Sequence, residues 1–538
     1  MTSSIRWQMS GFCRVLAVMA LAMSAVAYSG RAGAEITPFK NAVAEAAAGD
    51  DVLSGFYRDH DYSPLWTTGA DAARRAALFI ALDHAADHGL PARNYGVDDL
   101  RQSFERLSSE RQRGRLEVAM SRAFLAYAHE VQTGFIKPAS VDAGMVRAVP
   151  ERDLRAMLEQ FAASEPHGFL RSLPPQVPQY AQLMKVKLDL EREMAEGGWG
   201  GQLRIGKLEP GASGPSVAAL RDKLVALGYM QASASQSYDG ALQKAVQRFQ
   251  LDNGLQADGV VGEGTVAELN RTPEERLESV LVAMERLRWM NGIPLGQRHI
   301  WVNLPDFTAK IVDDGKVTFE TVTVVGMNQY DRRSPEFSDL MEFMVVNPTW
   351  NVPRSIATKE YLPMLQKDPN AVRHLRITDR RGRAVDREAV DFTQFTASNF
   401  PFAMSQAPSG DNALGLVKFM FPNPYNIYLH DTPSKSLFKR EVRAFSHGCI
   451  RLGSPFDFAY ALLALQSEDP VGLFKSYLQT GRESTLPLDR PVPVHLVYFT
   501  AWPTAKGGIE YRRDIYGRDA KIFDAMEAAG VELPGLRG

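Results

Sequence analysis

Of the 538 residues only two are cysteine, Cys13 and Cys449. Cys13 falls inside an N-terminal apolar leader, so the mature chain would keep one thiol and could close no internal disulfide. A single thiol in an exported protein is buried, joined to another chain, or reactive. Excess charge is also missing: 61 Lys and Arg against 63 Asp and Glu leave a formal −2, so bulk electrostatics give no reason to expect nucleic acid as a partner. Beyond the leader no apolar run approaches the ~20 residues that span a bilayer, and no stable membrane insertion is expected once the leader is cut. Metal-ligand patterns are scarce too. His84 and His88 sit four apart without a third ligand nearby, so no metal site is expected.

What is present begins with that leader. Arg6 and Arg14 flank the start of an apolar stretch, Val15 to Tyr28, followed by Ser29-Gly30-Arg31-Ala32-Gly33-Ala34. A basic region, a short apolar core and an Ala-x-Ala site read as a secretory signal, 1–34, cut after Ala34; an uncleaved anchor is the alternative. The remaining length asks for two to four domains, and 45% apolar with 23% charged residues is ordinary for a folded protein.

The organisation predicted is α+β and multidomain. Residues 35–205 read as a helical scaffold, with three- and four-residue apolar spacing over 72–86 and 113–131. Gly197-Gly198-Trp199-Gly200-Gly201 marks a boundary, and 206–272 forms a small three-helix module whose glycines fall where helices stop. A linking helix occupies 273–298. Alternation then sets in at Ile300, Val302 and Leu304, with Asp314-Gly315 as a hairpin signal. A mostly β domain is expected over 299–505, interrupted by a charged helical lid at about 355–399 and followed by an extension, 506–538.

The chemistry gathers between Asn412 and Leu452. Tyr428-Leu429-His430-Asp431 precedes Arg443-Ala444-Phe445-Ser446-His447-Gly448-Cys449-Ile450-Arg451. A histidine at one strand end facing a cysteine at the next supplies a base to a nucleophile. Gly448 lets the backbone approach a substrate, and amides around His447, Gly448 and Cys449 are candidates for an oxyanion hole. His447 lies two residues from Cys449, on the same side of a strand, and competes with His430 as base. Arg451 offers a fork of donors to a carboxylate or to a structural carbonyl. A lone cysteine is also commonly a small buried apolar residue.

The whole string resembles the YkuD-type L,D-transpeptidase signature, a histidine followed after an interval by Ser/Thr-His-Gly-Cys-Ile/Val-Arg/Asn. Residue by residue, His430 matches the base, and Ser446, His447, Gly448, Cys449, Ile450 and Arg451 match the nucleophile motif. In the family the base is held by a main-chain carbonyl just after it, so Asp431 would contribute its backbone; glycine is frequent there, and Asp431 is a departure. Leu227-Gly228-Tyr229, Phe249-Gln250 and Gly254-Leu255-Gln256-Ala257-Asp258-Gly259 resemble the peptidoglycan-binding domain 1 family. Asn347-Pro348-Thr349-Trp350, Asp411-Asn412-Ala413-Leu414-Gly415 and Lys418-Phe419-Met420-Phe421 look like the long YcbB-like Gram-negative branch. The resemblance implies a periplasmic enzyme that cross-links peptidoglycan stems, usually of the meso-diaminopimelate type, with no cofactor. It also implies pocket residues Ser446, Trp350, Phe419, Tyr425 and Asn412, although aromatic core is the competing role of the three rings. Water or an envelope protein's lysine as acceptor, and an inactive wall-binding scaffold, remain open.

Overall fold

The computed structural model describes residues 37–504 and 507–533; the leader, Cys13 and the expected cut after Ala34 lie outside them. The N-terminal helices begin where polar caps satisfy free amides: Asp50 accepts from Leu53 N and Ser109 from Gln112 N. Their apolar faces enclose a core around Trp66, Phe124 and Phe161. Glu117 is buried in that core, and its carboxylate accepts from the amides of Leu65, Trp66 and Thr67.

The small module holds helices Pro215–Ala226, Gly240–Asp252 and Glu263–Leu269 around a core of its own. Next comes the linking helix Pro273–Met290, started by a Thr272/Glu275 capping box with proline at its first position. It is enclosed on almost every side, charged residues included. Glu285 accepts from the amides of Phe135 and Ile136 and from Arg288. Arg286 pairs with Glu336 and Asp519, and Arg288 donates to the His88 carbonyl. One helix thereby ties the scaffold, the β domain and the C-terminal segment together.

Fourteen strands are present among the described residues: β1 Arg298–Asn303, β2 Thr308–Asp313, β3 Lys316–Gly326, β4 Phe337–Val346, β5 Trp350–Asn351, β6 Arg376–Thr378, β7 Ala403–Gln406, β8 Val417–Met420, β9 Leu429–His430, β10 Ala444–Ser446, β11 Ile450–Leu452, β12 Ser484–Val497, β13 Ala501–Pro503 and β14 Ile509–Tyr511. Nine form one sheet in the order β10-β3-β11-β9-β8-β4-β12-β1-β2, and β2 also pairs with β3, so the sheet closes on itself. Its core is lined by Ile300, Val302, Met344, Phe419, Ile450 and Leu496.

The insertion between β5 and β8 starts helical, through Leu362–Lys367, as the charged sequence predicts. It also carries the three-stranded sheet β5-β7-β6, which the sequence reading did not anticipate, and a separate core around Leu365, Phe392 and Phe400. At the other end, β13 and β14 pair antiparallel, and helix Arg518–Ala528 packs against the linking helix. The C-terminal extension is therefore built into the fold. Among the described residues no helix is long and apolar enough to cross a membrane.

Candidate active site

β9 and β11 run parallel, with Leu429 opposite Ile450 and His430 opposite Arg451. Side chains alternate along a strand. Leu429 and Ile450 therefore enter the core, while Tyr428, His430, Cys449 and Arg451 all line one cavity of about 690 Å³. Lys418 joins them, because β8 sets it opposite His430. The same alternation turns Phe419 inward: it is fully buried, edge-on to Phe458 at 4.9 Å, and is no pocket wall.

His430 is buried, and its Nδ1 lies 2.5 Å from the Asp431 carbonyl oxygen. A carbonyl only accepts, so Nδ1 carries the hydrogen and Nε2 keeps the lone pair. Burial, and then the charge of Arg451, push its pKa down to about 3 against the pull of the Asp431 and Leu414 carbonyls. The Asp431 carboxylate faces elsewhere, accepting from the amides of Leu416 and Thr432 and from Lys435.

Cys449 is half-buried, with Sγ 3.5 Å from the Asn426 carbonyl oxygen. Burial pushes its thiol up to about 11, opposed by hydrogen bonds with Tyr428 and by the charges of Arg451 and Lys418. At neutral pH the resting pair is thus a neutral thiol beside a neutral imidazole. The Arg451 guanidinium is held in the same cavity with a buried Nε that has no hydrogen-bond partner.

The turn before the thiol is tightly braced. Gly448 has φ +115°, a conformation that favours glycine. The Ser446 hydroxyl donates to the Cys449 carbonyl at 2.5 Å and accepts from Gly448 N at 3.1 Å. Two expectations change accordingly. The Ser446 hydroxyl is committed to the turn although the residue lines the cavity, and the Gly448 amide is occupied rather than open as an oxyanion donor. Ser334 completes the brace by donating to the Gly448 carbonyl at 2.6 Å.

His447 points to the lid, its Nε2 2.6 Å from Glu360 Oε1. Arg332 reaches the same oxygen at 2.7 Å, and Lys359 pairs with Asp331 at 2.5 Å. Trp350 and Tyr425 line the cavity. Asn412 does not: fully buried, it donates to the carbonyls of Pro348, Gln406 and Ala407 and holds the base of the lid. Residues that the motif reading passed over are Tyr428, Lys418, Glu360 and Arg332. The first two were accessible from alternation around His430, whereas the lid contacts have no local signal.

Comparison with known proteins bears on this geometry. Residues 297–471, which include His430 and Cys449, match the YkuD family model, described as an L,D-transpeptidase catalytic domain. Residues 213–269 match a model described as "Putative peptidoglycan binding domain", and residues 51–186 match a scaffold domain. The chain carries a YkuD-type L,D-transpeptidase catalytic domain and a peptidoglycan-binding module. A Haemophilus influenzae protein named "Putative L,D-transpeptidase" is 35% identical over 232 residues, 43% of this chain and 46% of that one. The chain thus spans about half the length of the curated relative it matches. A crystal structure of an L,D-transpeptidase from Xylanimonas cellulosilytica is 16% identical, covering 55% of this chain and 98% of that one at a TM-score of 0.17. In this transpeptidase domain the cavity opens between the closed sheet and the lid, with cations in excess. Arg332, Arg354, Lys359, Lys418 and Arg451 line it against Asp331 and Glu360.

Proposed function

We propose that the protein is a periplasmic L,D-transpeptidase of the YcbB-like branch, which forms 3→3 cross-links between peptidoglycan stems through a thioester on Cys449. The observation that carries this reading is the shared face of β9 and β11, which sets a thiol and an imidazole with a free Nε2 lone pair in one cavity.

The donor is a tetrapeptide stem, and the bond attacked joins its third residue, of the meso-diaminopimelate type, to the terminal D-Ala. The thiol proton passes to His430 Nε2 as Sγ adds to the carbonyl carbon. The C–N bond then breaks, D-Ala leaves with that proton on its amine, and the acyl group stays on sulfur. The side-chain amine of a second stem adds to the thioester, its proton returns through His430, and the thiol leaves. A thioester retains the acyl energy of the cleaved amide, so no cofactor is required. Arg451 and Lys418 suit the donor's carboxylates, because the guanidinium is buried with an unpartnered nitrogen. The Tyr428 hydroxyl, beside the thiol in the same cavity, is placed to steady the developing oxyanion alongside the Cys449 amide. The peptidoglycan-binding module keeps the catalytic domain at the wall, and the leader exports it.

Intact-mass measurement of the mature chain and of Cys449→Ala, with a carbapenem and with purified tetrapeptide stems, tests the reading. An adduct on the wild type alone, D-Ala release and dimeric stems are expected. D-Ala release without dimers would point to a carboxypeptidase or an enzyme that anchors envelope proteins. Folded protein with neither adduct nor turnover would leave only a wall-binding scaffold.

A further inference from the structure

A second cavity, of about 360 Å³, shares no lining residue with the Cys449 cavity. Its volume lies within the ~300–1,000 Å³ usual for small-ligand sites. Trp301 of β1 and Trp502 of β13 form one wall, side by side with ring centroids 5.5 Å apart and planes at 42°. Phe499 supports both indoles from the core, at 5.9 and 4.6 Å. Each indole is half-exposed, so part of an aromatic surface faces the cavity. The rim is polar, with Gln179, Lys310 and Glu510 around it. One Glu510 oxygen accepts from Arg512 at 2.8 Å, which leaves the other for a ligand.

A pyranose ring has two apolar C–H faces and an edge of hydroxyl and acetamido groups. A half-exposed indole wall covers the face, while a carboxylate, an amide and an ammonium receive the edge. A purely apolar ligand would leave the second Glu510 oxygen and the Gln179 amide unused at the rim. A stem peptide, which has no apolar ring of that kind, would leave the indole wall uncovered. The position of the cavity also indicates the source of the sugar. Arg512 lines it and, through Nη1, donates to the Asp252 carbonyl at the end of the second helix of the peptidoglycan-binding module. The cavity and the module therefore meet at one side chain.

We infer that the Trp301–Trp502 cleft is a carbohydrate subsite that holds a short stretch of N-acetylated glycan strand beside the peptidoglycan-binding module. The inference rests on the wall-directed reading above and extends it from the stem to the strand. Bound there, the glycan fixes the catalytic domain on one strand while Cys449 works on a stem, without contributing to the chemistry.

The full mature chain carrying Cys449→Ala, with 5-fluorotryptophan incorporated, is titrated with N-acetylglucosamine tetramer and with stem-free glycan strands. Fluorine resonances are assigned by Trp301→Phe and Trp502→Phe. Both sugars are expected to shift the Trp301 and Trp502 signals, and Glu510→Gln should weaken tetramer binding at least tenfold by calorimetry. Glu510→Gln in the chain with Cys449 intact should leave carbapenem acylation unchanged. Should Trp502→Phe fail to fold, Glu510→Gln and the Trp301 signal still decide the matter. Sugar binding that leaves both signals unmoved places the sugar in the module and overturns the inference. So does an unchanged affinity in Glu510→Gln, or a response to stem peptides and not to sugars. Failure of acylation with the tryptophan shifts intact would instead remove the transpeptidase reading and leave the subsite.

Discussion

The state of the thiol permits a quantitative test, because Cys449 is the one cysteine expected in the mature chain. Burial raises it to about 11, and His430 is held near 3 and is thus neutral. A free cysteine titrates near ~8.5, so at pH 7.5 roughly one free thiol in ten is ionised, against about three in ten thousand for Cys449, a deficit of ~300-fold. A more basic thiolate is also a better nucleophile, and a Brønsted slope of ~0.4–0.5 returns about a factor of ten. Alkylation by iodoacetamide at pH 7.5 should therefore run about 30-fold slower than for free cysteine. Because only the thiolate reacts, the logarithm of the rate should climb with unit slope from pH 6 to about 10. No step is expected near 6.5, where an ordinary histidine would titrate. Stopped-flow alkylation followed by intact mass reads both features. A plateau below pH 9, or a rate at pH 7 equal to or faster than that of free cysteine, would mean that the resting pair is already thiolate and imidazolium. Proton transfer concerted with attack would then be wrong.

Three further perturbations address the supports of the site. Glu360→Gln removes the carboxylate shared by His447 and Arg332; partly exposed pairs contribute ~0.2–1 kcal/mol, so acylation by a carbapenem should slow about two- to five-fold with the melting temperature unmoved, and an unchanged rate would deny the lid contact a role. Gly415→Ala introduces a Cβ that collides with the Asp431 carboxylate at a residue with φ +61°; displacement of Asp431 moves the carbonyl that orients His430, so acylation should fall about five- to thirty-fold where the ~1–2 kcal/mol of backbone strain is carried to the base, and full activity in a folded variant would refute the coupling. Glu285→Ala leaves Arg288 buried without its carboxylate, which should cost about 3–5 kcal/mol in urea unfolding; a loss under ~1 kcal/mol would show that the charged core of the linking helix is dispensable.

How far the sequence reached depended on whether the signal was local. The linking helix was legible at its start, where Thr272, Pro273 and Glu275 act within one turn, whereas it ends at Met290 and does not run to 298. The Cys449 and His430 cavity was legible through the spacing of its motif. Strand β12 was only half visible, since Pro487, Pro491 and Pro493 argue against a ladder; the register shift between Pro487 and Val492 accommodates them. Phe419 takes the core role that competed with a pocket wall, a choice that residue type alone does not settle. The pairing of Lys418 with His430 decides which β8 side chains reach the cavity, and that pairing is non-local. Asn412 and Ser446 lie close to the site in sequence, yet their polar atoms are consumed by backbone partners that only the folded chain supplies.

The same distinction shows why a motif of 22 residues, His430 to Arg451, leans on the rest of the chain. The Gly448 carbonyl is fixed by Ser334, whose own backbone carbonyl accepts from Arg518 at 3.0 Å and whose amide donates to the Tyr516 hydroxyl at 3.3 Å. Arg518 also pairs with Glu336, which Arg286 of the linking helix holds from the other side. The nucleophile's turn is therefore oriented through a buried relay that begins on the C-terminal helix and on the helix that leaves the peptidoglycan-binding module. Each step in the relay is charge-assisted or fully buried, so each is short of alternatives and sensitive to displacement. A catalytic domain cut from 299 to 505 would retain every motif residue and lose Arg286, Tyr516 and Arg518 together. The Gly448 turn, with φ +115°, would then keep its bonds to Ser446 and to a Ser334 that has lost Tyr516 and Arg518, and would hold Cys449 less firmly on the face it shares with His430.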